Sequence, residues 1–199
     1  MEADYSVELG TSAPALELPW TDPEGHLHYV ELRGAGLTAC NLDSIEEARQ
    51  FPALRKFLAD VNSYPSAWQS VKCDAWADET GVEENLYHAG FTQSSYVDLV
   101  LAEPTAALRD CLETHRKLAN EMAQALEADE SLESVAEIVV RRCYFHRGAS
   151  LGESDAGYCL TLFLTGYGTS PDEAVACWER TLEFAAECLL NLRPPEVGA

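Results

Sequence analysis

The chain has 199 residues, of which 47% are hydrophobic and 24% charged, a globular composition rather than a disordered one. Its 34 acidic and 13 basic residues leave a formal charge of −21. That balance excludes a nucleic-acid grip, which needs clustered Lys and Arg against phosphates, and adsorption to anionic lipid.

Residues Met1 to Tyr5 form neither a basic n-region nor an apolar h-region, and no apolar run approaches the roughly 20 residues of a membrane span. The expectation is a cytoplasmic protein with short disordered ends at 1–12 and 194–199. Cysteines stand at Cys40, Cys73, Cys111, Cys143, Cys159, Cys177 and Cys188. None has the C-x-x-C spacing of a zinc or redox site, so they read as free thiols packed in a reducing compartment. Cys143 and Cys159 are a candidate cross-strand pair without a supporting motif.

In chain order, residues 15–20 and 27–33 read as strands around a turn rich in Pro, Asp and Gly. A helix follows from Asp43, its stripe running through Ile45, Ala48, Phe51, Leu54, Phe57, Leu58 and Val61. Pro52 interrupts it, which predicts a kink or two short helices end to end. Residues 68–76 and 91–102 read as strands around an acidic loop. A second helix is predicted from near Pro104 to about Glu127, with Leu108, Cys111, Leu112, His115, Leu118, Met122 and Leu126 on one stripe. Residues 135–146 and 158–166 form the last strand pair. Ser170, Pro171, Asp172 and Glu173 then make a capping box with proline at the first helical position. Pro194 and Pro195 end that helix.

The pattern is a hairpin followed by a helix, three times over. It predicts one α+β domain over residues 1–199, with an antiparallel or mixed sheet built from three hairpin-helix units. The helices are expected mainly on one face, leaving the other open or covered by a partner. Strand alternation then collects Trp68, Lys72, Asp74, Trp76, Tyr96 and Asp98 on the second face, with one or both of Arg141 and Arg142. Tyr144 and His146, from the only basic cluster of the chain, complete the candidate binding face. Aromatics beside paired charges suit a ligand or partner surface, although the same pairs also stabilise any solvated sheet. The Arg pair offers a fork for a carboxylate or phosphate, or simply balances Asp74, Asp98 and Glu137.

Catalytic constellations fare poorly. His26 and His28 share a strand face, but no third ligand has metal-site spacing. Cys111 and His115 share a helix face, which a buried stripe explains equally well. No phosphate-binding glycine loop, nucleophile elbow or H-E-x-x-H motif occurs. The turn before Ser170 is an unpromising anion site, because its capping box already occupies the amide groups. No cofactor and no metal are expected, and binding is favoured over catalysis.

The acidity is spread along the chain rather than held in a tail. It suits solubility, adaptation to salt, or docking of a basic protein, as acidic inhibitors, immunity proteins or secretion chaperones do. The expected partner is therefore a basic protein or a second copy forming a homodimer. The alternative is a small-ligand site or enzyme built on the aromatic, Asp and Arg face.

Overall fold

The computed structural model describes residues 1–10, 15–18, 29–79, 87–103, 105–146 and 154–195. Its elements run β1 (Glu2–Glu8), β2 (Leu16–Leu18), α1 (Ala39–Asp43), α2 (Glu46–Gln50), α3 (Pro52–Asn62), β3 (Trp68–Glu79), β4 (Phe91–Leu101), α4 (Leu112–Glu127), β5 (Ser134–His146), β6 (Ser154–Gly168) and α5 (Pro171–Asn191). The fold is α+β with a mixed six-stranded sheet, ordered β1-β5-β6-β4-β3, with β2 also pairing β5. β3, β4, β6 and β5 are mutually antiparallel neighbours, whereas β1 and β2 run parallel to β5, one after the other along its outer side.

Three local expectations need correction. Glu2–Glu8 is a strand paired with Val135 to Arg141, not a disordered end. Its alternation is of carboxylates and half-buried side chains, so it carries little apolar signal. Leu16–Leu18 pairs β5 rather than a strand at 27–33, and Tyr29 to Arg33 is not a strand. The first unit is therefore not a hairpin among the described residues; the turn expected between its strands lies outside them. The second helix begins at Leu112, behind a 3-10 turn at Thr105–Leu108. Cys111 is extended (φ −90°, ψ 97°), and the Arg109 carbonyl accepts from the Tyr158 N–H at 2.8 Å, which ties this turn to β6 instead of the helix.

Pro52 acts at the boundary where it stands. α2 ends at Phe51, and the proline occupies the first turn of α3, where its missing N–H leaves no helical bond unmade. At α5 the Ser170 hydroxyl accepts from the Glu173 N–H at 3.3 Å, and the Glu173 carboxylate accepts from the Thr169 N–H at 2.9 Å.

Register assigns the two sheet faces. Leu99, Leu160 and Val140 lie across from one another, as do Val97, Leu162 and Ile138. These side chains share one core with Leu58 of α3, Leu118 and Met122 of α4, and Trp178 and Leu182 of α5. We call this the inner face. Gly166 of β6 lies on it, and a Cβ there would stand 2.3 Å from the Trp178 nitrogen, so α5 and β6 approach backbone to backbone. The alternate residues form the outer face, where Leu18, Val100, Cys143 and Cys159 make a small second cluster. No helix among the described residues is long and apolar enough to cross a membrane.

Candidate functional site

Outer-face rows follow from register. Lys72, Asp98 and Thr161 face one another across β3, β4 and β6; Asp74, Tyr96 and Phe163 form the next row, and Trp76, Ser94 and Thr165 the one beyond. Two networks cross these rows. The first is aromatic: Trp76 and Tyr96 have ring centroids 6.4 Å apart, and Tyr96 and Phe163 are 5.9 Å apart. The Lys72 ammonium sits 5.9 Å from the Tyr96 centroid and the Arg141 guanidinium 5.4 Å from that of Phe163, within the reach of cation–π attraction. Trp76, at 38% exposed, is the open end of the row.

The second network is ionic. Glu8 accepts from Arg141 Nε at 3.3 Å, Arg141 Nη1 donates to Thr161 Oγ1 at 3.4 Å, and Thr161 Oγ1 donates to Asp98 Oδ1 at 2.5 Å. Asp98 is only 7% exposed. Burial is the largest influence on its carboxyl and holds it above the ordinary range, against the Thr161 hydrogen bond and the Arg141 and Lys72 charges. The same setting raises the Tyr96 phenol, by burial first and then by Asp98 and Asp74. Arg141 thus directs Nε and Nη1 inside the sheet, to Glu8 and Thr161.

Not every predicted residue belongs here. Trp68 is fully buried in the inner core. A β-bulge between Ser70 and Lys72 is the reason: it shifts the alternation by one, so Trp68 points inward while Lys72, Asp74 and Trp76 point outward. Arg142 pairs with Tyr158 and Tyr144 with Ala156, two steps along the same strand side, and both alternate away from the outer face. His146 is at the end of β5, with Nε2 3.4 Å from Glu17 Oε2. It helps line a separate cleft of about 240 Å³ with Arg109 and Phe145. Arg109 is committed there, with its guanidinium 4.8 Å above the Phe145 ring and Nε donating to the Leu101 carbonyl at 2.6 Å.

The bulge also shapes the sheet edge. Among the described residues no strand pairs along the outer side of β3. Arg33 Nη1 donates to the Trp68 carbonyl at 3.0 Å, and Asn62 Oδ1 accepts from the Ser70 N–H at 3.1 Å. Residues 68 and 70 therefore turn their backbone groups away from β4. Past the bulge the alternation gives that orientation to Cys73, Ala75 and Ala77. The Ala75 N–H accordingly bonds its neighbour's carboxylate, Asp74 Oδ1, at 2.8 Å. Beside this edge runs a groove of about 500 Å³ between β3 and the α1–α2 segment. Leu32, Ile45 and Val71 supply apolar lining, and Glu46, Glu47 and Asp74 supply negative charge, with Lys72 the one cation among its described lining residues.

Phe163, Glu8 and the Glu46–Glu47 pair were absent from the predicted face. The alternation of Cys159, Thr161, Phe163 and Thr165 carries the signal for the first, and the alternating carboxylates of Glu2, Asp4 and Glu8 carry it for the second. Glu46 and Glu47 reach the sheet edge only through tertiary packing.

His115 Nδ1 stands 2.9 Å from the Cys111 carbonyl rather than its thiol, and burial lowers the imidazole's proton affinity. Cys143 and Cys159 are free, fully buried neighbours; their mutual hydrogen bond, then burial, raises the Cys159 thiol far out of the reactive range. Burial pushes the Cys73 thiol up to about 12. Among the described residues no group of three or more His, Cys, Asp or Glu side chains could hold a metal ion; His26 and His28 lie outside them. Comparison with protein families, with curated proteins and with solved structures finds no match.

Proposed function

We propose that this protein works by binding, and that the β3–β4 half of its outer face docks a basic protein partner. In this reading the chain is one α+β domain in which α3, α4 and α5 occupy the inner face and leave the outer face to the partner. The observation that carries it is Trp76. It stands exposed at the end of the aromatic row with Asp74 and Asp78 exposed along the same strand. An aromatic anchor ringed by carboxylates is a recognition surface for Lys and Arg side chains. The overall charge of −21 would speed the approach of a basic partner and repel a second copy of this chain, which favours the hetero-complex over a homodimer. The free thiols suit a cytoplasmic setting. The reading needs no cofactor and no catalytic step.

The test is capture of the partner by the tagged full chain from its own cells at low salt, followed by affinity measurements on the purified pair. The proposal predicts a partner rich in Lys and Arg, at least about tenfold weaker binding between about 50 and 500 mM salt, and about tenfold loss in Trp76→Ala. An affinity indifferent to both salt and Trp76→Ala would overturn it.

A further inference from the structure

The groove beside β3 points to how the partner is held, and this inference deepens the outer-face reading on which it rests. We propose that the β3 edge beyond the bulge accepts an extended, lysine- or arginine-bearing segment of the partner as an added strand.

Two separate features support this. The first is the backbone. Arg33 engages the Trp68 carbonyl and Asn62 the Ser70 N–H, whereas Cys73, Ala75 and Ala77 turn their backbone groups away from β4 without another strand among the described residues. The Ala75 N–H bonds the Asp74 carboxylate, which occupies the place a strand carbonyl would take. A carbonyl from an incoming segment can replace it and free that carboxylate for the segment's own cations.

The second feature is the groove. An added strand sends alternate side chains to opposite sides. Those on one side meet Leu32, Ile45 and Val71, and basic side chains meet Glu46, Glu47 and the released Asp74. Its volume of about 500 Å³ falls within the roughly 300–1,000 Å³ of ligand sites. The acidic rim selects the charge of the occupant, and the main-chain edge selects an extended conformation over a helix.

The probe is a capped hexapeptide alternating lysine and valine, compared with the same peptide N-methylated at alternate residues. N-methylation keeps charge and side chains but removes strand pairing. Binding to the full-length protein is measured by fluorescence anisotropy, and backbone amide exchange is followed residue by residue. The expected result is slowed exchange at Ala75 and Ala77, at least about tenfold weaker binding of the N-methylated peptide, and at least about threefold weaker binding to Ala75→Pro. Proline at 75 removes an N–H that β4 does not use, as edge strands tolerate. Folding of that variant is checked by circular dichroism, and Glu46→Lys with Glu47→Lys provides a second variant expected to weaken binding by a similar factor. Protection at Tyr5 on the opposite sheet edge, or nowhere, would overturn the inference. Equal binding of the two peptides, abolished by Trp76→Ala, would overturn strand addition while leaving the outer-face reading standing. Failure of both peptides to bind would also overturn strand addition, and the salt-dependent capture then tests the broader reading separately.

Discussion

Two tryptophans on one strand do opposite work. Trp68 fills the inner core at 0% exposure, while Trp76, eight positions on, stands 38% exposed on the outer face. Trp68→Ala should lower the unfolding free energy by about 3–5 kcal/mol in urea titration, the usual cost of emptying a large aromatic site. Trp76→Ala should change stability by less than about 0.5 kcal/mol, since surface substitutions rarely exceed that, and show its effect in partner affinity. Asp98 makes a separate claim. A carboxyl whose native pKa is raised binds its proton more tightly in the folded state. Its contribution to stability is present below the ordinary value of 3.8 and is lost as pH rises from there through the elevated native value. Asp98→Asn abolishes this titration and keeps an oxygen to accept from Thr161. The stability of the variant relative to wild type should therefore be greater at about pH 7 than at about pH 4. Urea midpoints at the two pH values check this, and a difference independent of pH would refute it.

At the scale of elements, α5 and β6 approach each other backbone to backbone at Gly166. Gly166 has no room for a side chain: the nearest atoms to an added Cβ are backbone nitrogen and Cα of Trp178, which cannot rotate aside. Gly166→Ala should cost about 1–3 kcal/mol by overpacking, read as a lowered urea midpoint. This scale also explains what was legible in the sequence. In β4, β5 and β6 strict alternation separates Val97, Leu99, Ile138, Val140, Leu160 and Leu162 from Asp98, Tyr96, Arg141 and Thr161, so half of the candidate face is readable directly. In β3 Trp68 departs from the face expected for it because the extra residue at the bulge has no local signature; the bulge becomes visible only when Ser70 faces Leu99 and Lys72 faces Asp98. β1 carries no strand signal, and the strand expected at 15–20 takes another partner than expected, for a different reason. Both take their partner from β5, more than a hundred residues away, and parallel pairing over that distance leaves no turn motif to find. Pro52 and the Ser170 capping box were legible because their effects are confined to one helical turn.

At the scale of the molecule, charge and topology converge on one sheet edge. Among the described residues the mixed sheet ends in β3 on one side, where a bulge, a run of exposed carboxylates and a groove with apolar and acidic lining coincide. Bulges and edge charges commonly protect a strand from indiscriminate pairing. In the proposed complex they would also narrow what can pair: an acidic edge disfavours an acidic strand and favours a basic one, so protection and selectivity would have the same physical source. Long-range repulsion from a −21 chain reinforces this by opposing self-association. The most direct measurement is the affinity of the purified partner complex across a salt series. The account predicts a steep, monotonic fall in affinity with ionic strength that flattens when Asp74, Glu46 and Glu47 are neutralised together. A constant affinity across the series, or a slope unchanged in that triple variant, would contradict it.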